Sequence, residues 1–307
     1  MRVAAIDIGT NSIRLLKAEV IDGKLISGNK QLDMTRIGEG VNETGRLSEA
    51  GMQRSVDALV RFAGEAKAWD AEHIFALATS AVRDSENRDE FIKRVYEASG
   101  IAIDVISGEE EAKLGFIGVL AGAGELEGQI LVIDVGGGST ELIVGDAKGI
   151  QFAQSVNVGA VRMTGKHITT DPVSDAEYVN TQSDVALLTA KVVELLKTFN
   201  ITKTIGIGGT ATTLGAMKLE MENYDRFAIQ NSSIGIVDIR NMNQNLKNLS
   251  IEQRKSIKGL QPKRADIILA GSMVIETVLS ALQIDELFVS DYDNLEGCLV
   301  DRLLENA

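Results

Sequence analysis

The chain has 307 residues, 44% of them hydrophobic and 24% charged, with a formal net charge of −13. A surface this acidic repels a phosphate backbone, which excludes nonspecific nucleic-acid binding. The lone Cys298 excludes an internal disulfide, and two distant histidines, His73 and His167, argue against a Cys- or His-built metal site.

The length suggests two domains. No apolar run approaches the ~18 residues of a membrane helix, and the first strand starts by Val3, leaving no room for a leader. A cytoplasmic protein without a membrane partner is expected. Strands are predicted near 2–8, 12–20, 24–35, 73–78 and 101–106, and helices near 49–68, 88–98 and 108–122. Met52, Val56, Leu59 and Ala63 give the first helix a buried face, and Asn87 with Glu90 reads as a capping box for the second. The glycine- and glutamate-rich run 122–128 is the expected linker, dividing residues 1–124 from 125–307. The final helix, about 295–307, is expected to pack back on the first domain.

The second half restarts the scheme, with strands near 129–135, 140–147 and 150–156. A long helix opens at the box Ser174-Asp175-Ala176-Glu177, with Val185, Leu188, Val192, Leu195 and Phe199 as its inner stripe. A strand at 203–207, a glycine turn and a helix follow. The segment 263–283 carries an apolar face of Ile267, Gly271, Val274, Val278 and Leu282, and a short strand at 286–290 precedes the last helix. Strand–helix alternation with hairpins opening each half predicts an α/β fold with mixed sheets.

One motif occurs twice: Ile6-Asp7-Ile8-Gly9-Thr10-Asn11-Ser12 and Ile133-Asp134-Val135-Gly136-Gly137-Gly138-Ser139-Thr140. Each is an apolar strand ending in aspartate, then a hydroxyl-rich glycine turn, then apolar residues again. A third turn, Gly208-Gly209-Thr210, leads into a helix. Any one of these alone reads equally as a sharp turn. The matched set reads as backbone N–H concavities for phosphate, held by two related halves. Asp7 and Asp134 end apolar strands, where a carboxylate is costly unless used. Glu141 is either a cation ligand beside them or a solvated strand residue; Mg²⁺ needs one or two such carboxylates. Ser107 with Glu110 is a capping box, while Glu111 heads a stripe continued by Gly115, Gly118 and Gly122 that something else approaches closely. Arg14, Arg83 and Arg264 follow turns, as bidentate phosphate ligands or as ion pairs.

Assembled, these residues make the chain resemble the exopolyphosphatase / guanosine pentaphosphate phosphatase (Ppx/GppA) family. The matching runs are 6–14 (IDIGTNSIR), 79–84 (TSAVRD), 106–112 (ISGEEEA), 133–141 (IDVGGGSTE), 206–214 (GIGGTATTL) and 259–271 (GLQPKRADIILAG), in family order. The resemblance implies a two-domain actin/Hsp70/sugar-kinase-like (ribonuclease H-like) fold with a central cleft. It implies a metal-dependent phosphohydrolase releasing terminal orthophosphate from inorganic polyphosphate, and converting guanosine pentaphosphate to tetraphosphate. Glu111 would then activate water, and Asp134 and Glu141 would hold Mg²⁺ or Mn²⁺ with Asp7 near it. The three glycine turns, Arg83 and Arg264 would contact substrate; Arg14 matches a variable position. A homodimer is the expected assembly. Departures at Gly165, Gln230 and Leu295 touch neither base nor metal ligands. The alternatives are a weakly active or non-catalytic guanosine tetra- or pentaphosphate sensor, and an ATP-dependent member of the same superfamily.

Overall fold

A computed structural model describes residues 1–124 and 126–304. The chain forms two compact units, Met1–Ala121 with the segment from Tyr292 onward, and Gly122–Asp291. Glu125, in the expected linker, and the last three positions of the expected final helix lie outside the described residues.

The first unit runs β1 (Arg2–Ile8), β2 (Ile13–Ile21), β3 (Lys24–Asp33), α1 (Val41–Thr44), α2 (Glu49–Ala68), β4 (His73–Ala78), α3 (Ser80–Arg83), α4 (Arg88–Ser99), β5 (Ile103–Val105) and α5 (Gly108–Ala123). Its sheet has the order β3-β2-β1-β4-β5, with the first three strands antiparallel and β4 and β5 parallel to β1. Strand β1 is buried on both faces, which explains its unbroken apolar run from Val3 to Ile6. Helix α2 closes one face with Met52, Val56, Leu59, Phe62 and Ala63. Asn87 makes no cap bond to α4; its side chain instead accepts from Leu47 N at 2.8 Å and donates to Leu47 O at 3.0 Å. The expected capping box there is absent because the amide pins a neighbouring loop.

The second unit runs β6 (Gln129–Val135), β7 (Thr140–Asp146), β8 (Gly149–Val156), α6 (Ala160–His167), α7 (Asp175–Leu196), β9 (Ile201–Ile207), α8 (Gly208–Lys218), α9 (Arg226–Ile229), β10 (Ser233–Gly235), α10 (Ile236–Asn248), α11 (Ile251–Arg254), a 3-10 turn (Pro262–Arg264), α12 (Ile268–Leu282) and β11 (Glu286–Val289). The sheet order is β10-β11-β9-β6-β7-β8. The hairpin β6–β7–β8 and the parallel neighbour β9 repeat the arrangement of β1–β2–β3 and β4. This duplicated mixed sheet flanked by helices is the actin-like fold of the family resemblance.

Helix α7 keeps its capping box at Ser174 and Glu177 and buries Val185 and Val192 of its expected stripe, with Phe199 beyond it packed on the core, but not the two leucines. Leu188 and Leu195 are 41% and 42% exposed, while Thr181 and Thr189 are buried with Val185, Val192 and Leu196. Each buried threonine hydroxyl donates to the carbonyl four residues back, at 2.7 Å, so its polar atom is satisfied inside the core. Helix α12 is buried nearly all round because α6, α7, α8 and α10 pack against it.

The last helix, α13 (Asn294–Leu303), returns to the first unit and packs Leu295 and Leu299 on Val3, Ala5, Leu16 and Ala18. It approaches α5 at two glycines: a Cβ on Gly118 would overlap the Asp293 backbone, and one on Gly297 would overlap the Leu114 carbonyl. The glycine stripe below Glu111 is thus filled at Gly118 by the start of α13. Gly297→Ala is expected to destabilise the protein by about 1–3 kcal/mol, the usual range for overpacking. Gly64→Ala, on an exposed stretch of α2 with open space around it, should stabilise by about 0.5–1 kcal/mol. Urea midpoints of the two variants check both signs.

Candidate functional site

The two repeated turns fold alike. Gly9 N donates to Ser12 O and Gly136 N to Ser139 O, both at 3.0 Å. In the second turn the carbonyls are tied down by α6: Gly136 O accepts from Ala160 N, Gly137 O from Val161 N and Arg162 N, and Gly138 O from Arg162 Nε. The amides of Gly137, Gly138 and Ser139 have no hydrogen-bond partner among the described residues, and neither do those of Thr10, Asn11 and Ser12. Such bare amides make an anion-binding concavity. Thr140 caps the arrangement from inside, buried and donating to Val158 O.

Strand register sets what stands beside each turn. Asp134 lies directly opposite Glu141 across β6–β7, and the two are 7% and 1% exposed. Opposed like charges destabilise a sheet, and burial sharpens the cost. A hard divalent cation suits this oxygen pair, with water and phosphate oxygens completing its shell. Among the described residues no three His, Cys, Asp or Glu side chains gather into an all-protein cage. Glu141 Oε1 accepts from Ser155 Oγ at 2.7 Å, which fixes its orientation.

The equivalent pair in the first unit is Asp7 opposite Arg14. Arg14 bonds Asp7 Oδ2 through Nε at 3.0 Å and Nη2 at 2.6 Å, and also pairs with Asp293. The structure thus sets Asp7, the expected neighbour of the metal, and Arg14, the expected phosphate contact, opposite one another in an ion pair. A guanidinium stands at the position occupied by Glu141 in the second hairpin, and each group neutralises the other.

Remaining groups sit at the carboxyl ends of adjacent parallel strands, where open α/β sheets place their ligands. Thr79 N bonds Ile8 O, so α3 starts beside the end of β1, and Ile106 N bonds Ala78 O before α5. Arg83 Nη1 donates to Ile106 O at 3.1 Å and to Glu111 Oε2 at 3.0 Å. Glu111 is 7% exposed in the first turn of α5, whose start is capped by Ser107 accepting from Glu110 N. In the second unit, α8 begins right after β9 with no side-chain cap, so its first amides retain their donor capacity. Gly208 has φ +73, and a Cβ there would overlap Asp134 Oδ1; only glycine lets the helix start against that carboxylate. The Arg264 guanidinium lies against Gly209, and Thr210 anchors the turn by donating to Val135 O at 2.8 Å.

Sequence reasoning misses Asp293 and Glu296, which hold Arg14 and Lys30. Lys30 Nζ lies 3.1 Å from Asp293 and 2.8 Å from Glu296, and Ser27 donates to Glu296. The available signal is the capping box Asp293-x-x-Glu296 opening α13. Burial alone pushes the Asp293 carboxyl up; Arg14 and Lys30 beside it outweigh that and hold it at about 2. An unfolded aspartate titrates near 3.9. The lowered value thus contributes stability that is complete above about pH 4 and lost as pH falls through about 2, on the order of 2 kcal/mol in all. Asp293→Asn should cost stability at pH 6, and that cost should shrink between about pH 4 and 2. Urea titrations of both proteins across this range test it; a constant difference would contradict the pairing.

Known proteins resemble this chain along nearly its whole length. The model of the Ppx/GppA phosphatase family matches residues 19–306. Exopolyphosphatase 2 of Mycobacterium tuberculosis is 36% identical over 96% of this chain and 97% of its own length. A bifunctional 3-dehydroquinate synthase/phosphatase of Fusobacterium nucleatum is also 36% identical, over 97% of this chain, which spans only 46% of that protein. The Aquifex aeolicus Ppx/GppA crystal structure superposes with a TM-score of 0.83 at 31% identity, covering 100% of this chain and 98% of that one. With the motifs in order, the fold repeated and the relatives matched along nearly the whole chain, this protein belongs to the Ppx/GppA phosphatase family.

Proposed function

We propose that this phosphohydrolase is a divalent-metal-dependent exopolyphosphatase, removing terminal orthophosphate from inorganic polyphosphate. The observation that carries the reading is the buried, directly opposed pair Asp134 and Glu141 beside a turn of bare amides. Its oxygens suit a dication, and the turn offers donors to the anion that accompanies one. The choice of polyphosphate is supported by the exopolyphosphatase relative, which this chain matches end to end. Guanosine pentaphosphate, which presents the same terminal phosphoanhydride, is the second expected substrate.

In this reading the amides of Thr10, Asn11 and Ser12, those of Gly137, Gly138 and Ser139, the start of α8 and Arg264 bind phosphate oxygens. Asp134 and Glu141 hold Mg²⁺ or Mn²⁺, which supplies charge neutralisation on the phosphate when bound. Glu111, held by Arg83, takes a proton from water as that oxygen bonds the terminal phosphorus. The P–O bond to the rest of the chain breaks, leaving orthophosphate and a polyphosphate one unit shorter. Arg83 positions the base, and Asp7 and Arg14 set the floor of the first turn. A cytoplasmic homodimer completes the reading; among the described residues no helix is long and apolar enough to cross a membrane.

Orthophosphate release from long polyphosphate, guanosine pentaphosphate and ATP, side by side with Mg²⁺ and with Mn²⁺, tests it. Fastest release from polyphosphate is expected. ATP as the preferred substrate, or binding of guanosine tetraphosphate without turnover of any of the three, would replace it with one of the other superfamily activities.

A further inference from the structure

Arg254 is 1% exposed, in the four-residue helix α11, and makes no ion pair among the described residues. Its Nε donates to Leu246 O at 2.7 Å and one Nη to Ala265 O at 3.1 Å, while the second Nη has no hydrogen-bond partner among the described residues. Burial disfavours this guanidinium by more than the nearby charges of Asp171 and Asp266 favour it, and an apolar side chain of similar volume is often as stable or more so. Packing alone therefore gives no reason for an arginine here. What the guanidinium does, and an apolar chain cannot, is tie the last turn of α10 to the residue that follows the 3-10 turn.

That second residue is next to Arg264. The loop carrying it is clamped at its other end by Gly259, whose φ of +80 and close approach to the Ala216 backbone of α8 admit no side chain. Gln261 accepts from Arg264 Nε at 3.3 Å within the same turn. The loop is thus fixed to α8 through Gly259 and to α10 and α11 through Arg254, with the Arg264 guanidinium delivered against Gly209 between them.

We infer that Arg254 is a positioning residue for substrate binding: by holding the Ala265 carbonyl it sets Arg264 over the first turn of α8, where a polyphosphate oxygen is bound. This rests on the reading of α8 and Arg264 as a phosphate grip. Arg254 touches no substrate and acts through its neighbour.

The test is calorimetric titration of long-chain inorganic polyphosphate into Glu111→Gln protein carrying Arg254→Met, Arg264→Ala, or both, with melting temperatures measured alongside. Arg264→Ala should weaken binding. Arg254→Met should weaken it by about tenfold, the equivalent of one charge-assisted hydrogen bond, at an unchanged or higher melting temperature. The double variant should bind no more weakly than Arg264→Ala alone, because both changes remove the same contact. Parent-like affinity in Arg254→Met while Arg264→Ala is weakened overturns the inference, as does a double variant weakened by the product of the single effects. Parent-like affinity in Arg264→Ala is a different failure, because it removes the phosphate grip and this inference with it. If Arg254→Met does not fold, Arg254→Lys decides: its ammonium cannot span both carbonyls, so weakened binding supports the role and parent affinity refutes it.

Discussion

Glu111→Gln is expected to fold normally, bind polyphosphate as tightly as the parent, and lose about 10²–10⁴-fold in turnover, the usual contribution of a general base. The amide is isosteric with the carboxylate and can still accept from Arg83 Nη1, so the bond that orients the side chain survives. The start of α5 is unaffected, because its cap uses Ser107 and the Glu110 amide. What disappears is a basic oxygen to take the water proton. Initial rates at saturating polyphosphate and fixed Mg²⁺, with affinity measured separately, divide the two effects. A variant that turns over near the parental rate removes Glu111 as the base; one that loses binding makes it a substrate contact instead.

The second large effect concerns the opposed carboxylates. In the metal-free protein Asp134 and Glu141 face one another inside the sheet, so adding Mg²⁺ or Mn²⁺ should raise the melting temperature. At free metal near a hundredfold over Kd, the gain is about 2.7 kcal/mol. Asp134→Asn or Glu141→Gln leaves a single carboxylate, too sparse a set for an ion that keeps most of its own water. Both variants should show little thermal response to metal and need much more of it for half-maximal activity. Removing one of two facing like charges should also leave the metal-free variants no less stable than the parent. Melting curves across a metal titration read this without reference to turnover. Identical shifts in parent and variants would place the cation elsewhere.

Much of the fold was legible because its strands are short, apolar and punctuated by glycine turns, and because the hairpin motif occurs twice. The matched motifs at Asp7 and Asp134 identify two related halves, and both hairpins form with the same turn bond. Less visible were features decided by packing from several sides. Nothing in the sequence reading assigns α1, α3, α6, α9, α10 or α11. In α7 the buried positions include Thr181 and Thr189 rather than Leu188 and Leu195; leucines outrank threonines on hydropathy, although a threonine bonded to its own helix buries at little cost. At the site, the residue types were readable but their partners were not. Arg14 sits in a turn motif that invites a phosphate reading, yet the residue opposite it in register is Asp7, and Asp293 reaches it from the far end of the chain. Periodicity carries no information about a contact between residues so far apart in sequence. Arg254 and Arg162 donate to backbone carbonyls, and such contacts leave no pattern of side-chain types to find.

The chemistry itself is tested most directly by a single turnover on long polyphosphate in oxygen-18-labelled water, with mass analysis of the orthophosphate released. Water activated by Glu111 and attacking the terminal phosphorus puts one labelled oxygen into each released orthophosphate. Unlabelled orthophosphate, with the label left on the shortened chain, would place the attack on the wrong phosphorus. Absence of label from both products would mean that water is not the acceptor, and would contradict hydrolysis as the reaction of this protein.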